Sequence, residues 1–300
     1  MSLKVLVTGA NGNIGSCLIR KLLLQTDMVI YAMAADKACF YGVFEETFAS
    51  QYSERLHFIS NSDFFKLDHA DFKEFTAVHL AFSRRNRSCE KIAQSIDFTK
   101  AVFEQLQKKD VFRVAYVSSQ GIYGNAKEIR TEQTKPAPES AYTMAKYSGE
   151  VLLKSFFENS PGKYTSIRLD SIIQSQNLVQ TLCRQAKYDH LLKIKGGNQI
   201  FSYLDLEDAA DALICLLLMK TGWKPCYNVG INHGRVSLLE LADIVSTYSE
   251  YKSGIKPGIQ IDPTPVELWA GMDSSLFTKD TGWNPRKGID EMVQKIYDEV

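Results

Sequence analysis

The chain alternates between short, almost wholly apolar runs and longer segments with helical spacing. Apolar runs stand at Lys4–Thr8, Met28–Met33, Leu56–Ser60, Ala77–Phe82, Phe112–Ser118 and Tyr164–Leu169. Each has the length of a strand rather than a helix. Between them, 14–25, 88–108 and 139–158 carry helical patterns. This alternation predicts a parallel sheet with helices on both faces, and continuous apolar strands fit a sheet covered on both sides. After Leu169 the pattern loosens, with Gly196-Gly197 and several proline-containing turns, although Ala212–Met219 reads as a buried helix segment. The expectation is an α/β fold: a doubly wound parallel sheet over 1–168, then a smaller C-terminal lobe over 169–300. That lobe covers a ligand and returns some segments to the main sheet.

The first strand runs directly into Thr8-Gly-Ala-Asn-Gly-Asn-Ile-Gly15 and then into a helix near Ile14–Leu24. Gly9 allows a tight turn, Gly12 lets a pyrophosphate approach the backbone, and Gly15 lets helix pack on strand. The helix directs its positive dipole end at the anion. Strand, turn and helix in this order predict a dinucleotide site at Gly9, Asn11, Gly12, Asn13, Ile14 and Gly15.

A second group carries chemistry. Tyr142 and Lys146 are four residues apart on a predicted helix, so they share a face. An ammonium beside a phenol stabilises the phenolate and lowers its pKa, which suits proton transfer to or from an alcohol or carbonyl oxygen. Ser118 and Ser119 end a strand at the sheet's carboxyl edge, where open α/β sheets bind ligands.

Composition narrows the partners. Among 300 residues, 35 Lys+Arg balance 35 Asp+Glu, so no net field recruits nucleic acid or an anionic membrane. The six cysteines form no CxxC pair, which suits a reducing cytoplasm and argues against structural zinc or a disulfide framework. His57, His69, His190 and His233 have no ligand spacing with Cys or acidic neighbours, so no metal is expected. Leu3–Val7 is too short for a signal h-region or a membrane span. His79, inside an apolar strand, reads as a core histidine.

Taken in order, these segments resemble the extended short-chain dehydrogenase/reductase family, the NAD-dependent epimerase/dehydratase group, with its Rossmann-type fold. Thr8–Gly15 is similar to that family's TGxxGxxG, Ser118-Ser-Gln-Gly-Ile-Tyr-Gly124 to its SSxxVYG, and Tyr142…Lys146 to its YxxxK. Val78-His-Leu-Ala81 resembles the strand that runs under the nicotinamide. Leu206–Ala212, Tyr227-Asn-Val-Gly230 and Thr281-Gly-Trp-Asn-Pro285 resemble three downstream motifs. The resemblance implies Ser119 as the hydroxyl on the reacting oxygen, with Ser118 as the alternative. It implies Tyr142 as acid/base, and Lys146 tuning Tyr142 and holding the nicotinamide ribose. Asp63 and Phe64 fall where the adenine is held, and Leu80, Ala81 and Phe82 beside the nicotinamide. NAD is the expected cofactor, with NADP left open. Homodimerisation through the YxxxK helix and the one before it is implied too, with a small apolar stripe of Ala145, Ser148 and Leu152 on the former.

Four departures bear on the substrate. Met33 or Ala34 takes the usual acidic position after the second strand, and Asp36 comes late. Gln94-Ser95 replaces a helix-supporting asparagine. Phe201 and Pro263-Thr-Pro-Val-Glu267 replace the arginines that clamp a diphosphate. Arg184, Lys187, Lys193, Lys195 and Arg235 are the candidate substitutes. Ile167–Gln174 lacks the usual proline and glycine. The first reading is therefore an epimerase or dehydratase of a sugar or nucleotide-sugar. The alternatives are a reductase or dehydrogenase of a smaller carbonyl or alcohol, and a cofactor-binding sensor without turnover. Arg84-Arg-Asn-Arg87 is a further candidate for anion contact.

Overall fold

The computed structural model describes residues 3–66, 72–83, 88–160, 162–232 and 234–300. The main sheet has seven strands: β1 (Lys4–Thr8), β2 (Val29–Ala34), β3 (Leu56–Ser60), β4 (Phe75–His79), β5 (Arg113–Ser119), β6 (Tyr164–Leu169) and β7 (Cys226–Val229). All pairings are parallel, in the order β7-β6-β5-β4-β1-β2-β3. The order reverses between β1 and β4, which opens a crevice at the carboxyl edge.

Helices α1 (Asn13–Gln25), α2 (Cys89–Lys108), α3 (Ala141–Phe157) and α4 (Leu206–Leu218) cover the sheet. On one face α1 packs on α4 around Leu18, Leu22, Ala209 and Leu213; on the other α2 packs on α3 around Val102, Phe103, Leu153 and Phe157. Each helix presents one apolar stripe to the sheet, and those two cores supply the folding drive. Among the described residues no helix is long and apolar enough to cross a membrane.

Three differences from the sequence reading have local causes. The fourth strand runs Phe75–His79, not Ala77–Phe82. The chain leaves the sheet after His79 because the amides of Leu80 and Ala81 both donate to Thr8 Oγ1, at 3.1 and 3.2 Å. The seventh strand, Cys226–Val229, is too short to announce itself by periodicity. Leu191–Lys195 and Gly258–Asp262, far apart in sequence, form a separate parallel pair.

The downstream motifs act as clasps. Asp208 Oδ2 accepts from the amides of Arg286 and Lys287, each at 3.1 Å, and Trp283 Nε1 donates to the Asp208 carbonyl at 3.2 Å. Asn228 takes the Tyr123 hydroxyl at 2.7 Å and donates to the carbonyls of Arg130 and Asp273, both at 3.2 Å. Asn228→Ala removes one hydrogen bond from each of Tyr123, Arg130 and Asp273. Urea denaturation is expected to show a loss of about 2–3 kcal/mol; an unchanged midpoint would remove this role.

Candidate active site

At the glycine turn, Gly9 has φ +67°, and a Cβ there would stand 2.8 Å from the Ala81 amide nitrogen. A Cβ on Gly15 would meet the Gly9 carbonyl at 2.3 Å. The Gly12 amide closes the turn on Gly9 O at 2.9 Å. Helix α1 starts at Gly12 with no side-chain cap and no acidic residue in its first turn. Its first turn adds no negative charge at the positive end, and Asn11, Gly12 and Asn13 are exposed there. Ile14 is half-buried against the core. These residues fit a pyrophosphate.

Around the adenine side, Met33 and Ala34 are buried at the end of β2. Asp36 is committed locally: its Oδ1 accepts the Cys39 amide at 2.8 Å and caps the short helix Lys37–Tyr41. That hydrogen bond holds its carboxyl below the ordinary value. Asp63 is exposed on a short helix after β3, with Ser60 Oγ donating to it at 2.6 Å. Phe64 points into the core against Phe72, so only its backbone can face a ligand.

The end of β4 is organised by Thr8 and Ser95. His79 is fully buried between Thr8 Oγ1 (2.8 Å) and Thr99 Oγ1 (3.0 Å). Burial, then the nearby Lys146 charge, pushes its pKa down to about 3, so it is a neutral core histidine. Ser95, which the sequence flagged only as a departure, receives the Ser83 amide at 3.0 Å and donates to Ser83 Oγ at 2.9 Å. It thus holds Leu80, Ala81 and Phe82 against the sheet edge. Arg84–Arg87 lie outside the described residues.

The proton-transfer groups meet beside this loop. Ser119 ends β5 and caps the turn Gln120–Tyr123, its Oγ accepting the Gly121 amide at 3.2 Å. Ser118, one position back and so on the other face of the strand, is buried with no partner for its Oγ among the described residues. A Cβ on Gly121 would lie 2.7 Å from Thr143 Cγ2 and 3.5 Å from Ser119 Oγ, so this turn seats directly on the first turn of α3. A capping box, Ser140 with Thr143, starts that helix and fixes Tyr142. Lys146 is 6% exposed; its Nζ donates to the Val117 carbonyl at 2.9 Å and lies 4.2 Å from the centre of the Phe82 ring. Tyr142 meets the same ring edge-on at 6.1 Å. Burial lowers the Lys146 pKa to about 7, against an upward pull from Glu150.

On the substrate side, the turn Gln120–Tyr123 that follows Ser119 carries no carboxylate. Gln120 Nε2 donates to Asp170 Oδ1 and, at 3.2 Å, to Ser171 Oγ, while its Oε1 takes the Gly271 amide at 3.1 Å. Asp170 is 3% exposed and burial raises its pKa to about 6. Of the five candidate clamp residues, Arg184, Lys193 and Lys195 are exposed. Lys187 donates to the Val300 carbonyl at 2.5 Å. Arg235 is half-buried beside Gly271. Phe201 stacks on Tyr203. The sequence reading did not single out Gln120, Arg130 or Asp170. Asp170 was detectable as a carboxylate just past a strand's carboxyl end; Arg130 leaves no such signal.

A doubly wound sheet with a glycine turn, a free helix terminus and a Ser/Tyr/Lys set at its crevice defines a nucleotide-dependent oxidoreductase-type enzyme. Residues 5–230 match the NAD dependent epimerase/dehydratase family, and the chain belongs to it. It is 24% identical to a dTDP-glucose 4,6-dehydratase of Escherichia coli, over 98% of this chain and 92% of that protein. Its fold resembles a UDP-glucuronic acid 4-epimerase from Bacillus cereus, solved with UDP-glucuronic acid and NAD (TM-score 0.80, 22% identity, 98% of each chain). It also resembles a dTDP-glucose 4,6-dehydratase from Bacillus anthracis in complex with NAD (TM-score 0.77, 17% identity, 99% of this chain and 96% of that one).

The buried lysine makes a pH prediction. Its folded pKa of about 7 lies below the ordinary 10.5, so above pH 7 the unfolded chain binds the extra proton. Stability therefore rises with pH across that window and is penalised below it. Urea titrations from pH 6 to 9 should show this rise in the wild type and a flatter profile in Lys146→Met; parallel profiles would contradict it.

Proposed function

We propose that the protein binds NAD at the glycine turn and reversibly oxidises a hydroxyl of a nucleotide-sugar, as an epimerase rather than a dehydratase. The observation that carries this is the seating of Gly121 between Ser119 Oγ and Thr143 Cγ2. It brings Ser119 to the helix that holds Tyr142 and Lys146, next to an anion-ready helix terminus. A sensor without turnover has no need of such a set.

NAD, when bound, supplies a two-electron acceptor and donor. Gly9, Asn11, Gly12, Asn13 and Gly15 hold its pyrophosphate; Asp63 and the Phe64 backbone face its adenine; Leu80, Ala81 and Phe82 line the nicotinamide end. Lys146, which donates to the Val117 carbonyl, would help hold the ribose and stabilise the Tyr142 phenolate. Tyr142 takes the substrate's hydroxyl proton as the carbon is oxidised and returns it on reduction, while Ser119 hydrogen-bonds the reacting oxygen. Met33 and Ala34 give no carboxylate for the ribose hydroxyls, but the end of β2 also carries no arginine for a 2′-phosphate, which supports NAD.

Elimination of water needs an acid for the departing hydroxyl and a base for the neighbouring C–H. Gln120 and Gly121 follow Ser119, and Asp170 is buried under several donors. This favours epimerisation. A smaller alcohol is the second reading, supported by the missing clamp at Phe201 and at 263–267.

Six unpaired cysteines fit a cytoplasmic setting. Homodimerisation through α3 remains the expected assembly, and of the stripe read from sequence Ser148 and Leu152 stay half-exposed. Ala145 is buried within the monomer, and the outward residues are Met144, Ser148 and Val151.

The test is turnover of UDP-glucose, UDP-glucuronic acid and dTDP-glucose with NAD in D2O, followed by NMR. Epimerisation returns a product without carbon-bound deuterium; deuterium beside the reacting carbon would indicate elimination instead. Tyr142→Phe should slow turnover by about 10²- to 10⁴-fold with NAD binding retained. Equal rates for both proteins would overturn the assignment of Tyr142.

A further inference from the structure

We infer that Asp170 is a positioning residue for the proton-transfer site: as a carboxylate it holds the turn that carries Ser119 against the C-terminal lobe, through Gln120. This role rests on the redox reading of Ser119, Tyr142 and Lys146, and adds a residue that acts through Ser119 rather than on the substrate.

Asp170 stands one residue past the carboxyl end of β6, buried at 3% exposure. Donors from its own neighbour and from three distant stretches of chain meet its two oxygens. Oδ1 accepts from Gln120 Nε2 and, at 2.8 Å, from the Ser171 amide. Oδ2 accepts from Ser202 Oγ, and the Ile231 amide gives a further hydrogen bond. An ionised carboxylate has about four acceptor positions and no proton to give, so this set of donors saturates it. The backbone leaves room for it: a Cβ on Gly230, just past β7, would lie 2.8 Å from Asp170 Oδ2.

Gln120 faces Asp170 only as a donor. Its Oε1 takes the Gly271 amide at 3.1 Å, so a flipped amide would set two N–H groups against each other. Gln120 follows Ser119, whose Oγ accepts the Gly121 amide at 3.2 Å, and Gly121 seats on Thr143 of α3. The turn is thus held by α3 on one side and by Asp170 on the other. Ser202 and Gly271 belong to the C-terminal lobe, so the same carboxylate sets how that lobe meets Ser119.

Among the described residues, the charged and titratable groups facing Asp170 are Arg235, Arg130 and the Tyr203 phenol. Arg235 fills the space beside Gly271, where a Cβ would lie 2.2 Å from its Nε. Arg130 also faces Glu128 and Glu139. Burial outweighs these donors and cations and raises the Asp170 pKa to about 6. A proton there turns the charge-assisted hydrogen bond from Gln120 into a neutral one, about half as strong.

The test is kcat from pH 5 to 8 for NAD-loaded wild type, Gln120→Glu and the double variant Gln120→Glu, Asp170→Asn, on UDP-glucose, UDP-glucuronic acid and dTDP-glucose. In Gln120→Glu the two carboxyls share one proton at pH 5, and the introduced group donates to Asp170 as Gln120 does. As pH rises that proton leaves, the two carboxylates repel and the turn loses its hold. The ratio of variant to wild-type kcat is expected near one at pH 5 and about 10- to 100-fold lower by pH 8, with KM little changed. The fall disappears in the double variant, where one carboxylate remains. A constant ratio, or a fall that persists in the double variant, overturns the inference. Trp269, two residues before Gly271, gives a readout without turnover. Its fluorescence, isolated by difference from Trp269→Phe, should change near pH 6 in wild type and at higher pH in Gln120→Glu; flat or identical signals overturn the inference. NAD affinity is read on the same samples. If it is intact and both readouts are flat, this inference alone fails; if wild type binds no NAD, the underlying reading fails, while the fluorescence still decides the role of Asp170.

Discussion

The contact on which the rest of the site depends is the one between Tyr116 and Gly149. A Cβ on Gly149 would lie 2.3 Å from the Tyr116 hydroxyl oxygen, so only glycine lets α3 approach β5 this closely. The buried Tyr116 hydroxyl then donates to the Lys146 carbonyl at 3.3 Å. At that spacing Lys146 Nζ reaches the Val117 carbonyl, and Gly121 can seat against Thr143. From the sheet's other side of the helix, Arg168 on β6 donates to Glu150 at 2.8 Å and to the Tyr123 hydroxyl at 2.7 Å. Strand, turn and helix thus hold Ser119, Tyr142 and Lys146 as one rigid body. Rigid placement is what proton transfer requires, since geometry precedes pKa in deciding whether a group can act.

That rigidity carries an electrostatic tension. Lys146 is useful as a cation, yet its surroundings are the Phe82 and Tyr116 rings and one carbonyl. Ring faces attract a cation weakly, but they do not replace water. Burial outweighs Glu150, whose carboxylate is shared with Arg168. The ribose hydroxyls of a cofactor would return hydrogen-bonding capacity that folding removes. The lysine is thus poised to be more fully charged when the site is filled than when it is bare.

The parts legible in the sequence are those written in local spacing. Six of the seven sheet strands, three of the four flanking helices, the glycine turn and the Tyr142–Lys146 pair all depend on residues within a few positions of one another. What was illegible depends on contacts made across the chain. Thr8, from β1, decides where β4 ends. Ser95 looked like the loss of a support and instead ties down Ser83. Arg130 sits in a polar loop with nothing to mark it, and becomes buried only because Gly124 and Gly271 converge on it. Arg235 was one of five interchangeable-looking cations until its neighbour at 271 was known.

Positions 235 and 271 therefore share one space. The space beside the Gln120 amide admits either a side chain from 271 or a long side chain from 235, but not both. A side chain added at 271 overfills that space unless the residue at 235 is shortened, and shortening 235 alone leaves it hollow. What such an exchange alters is the local charge beside Gln120, neutral with a side chain from 271 and positive with the guanidinium of 235.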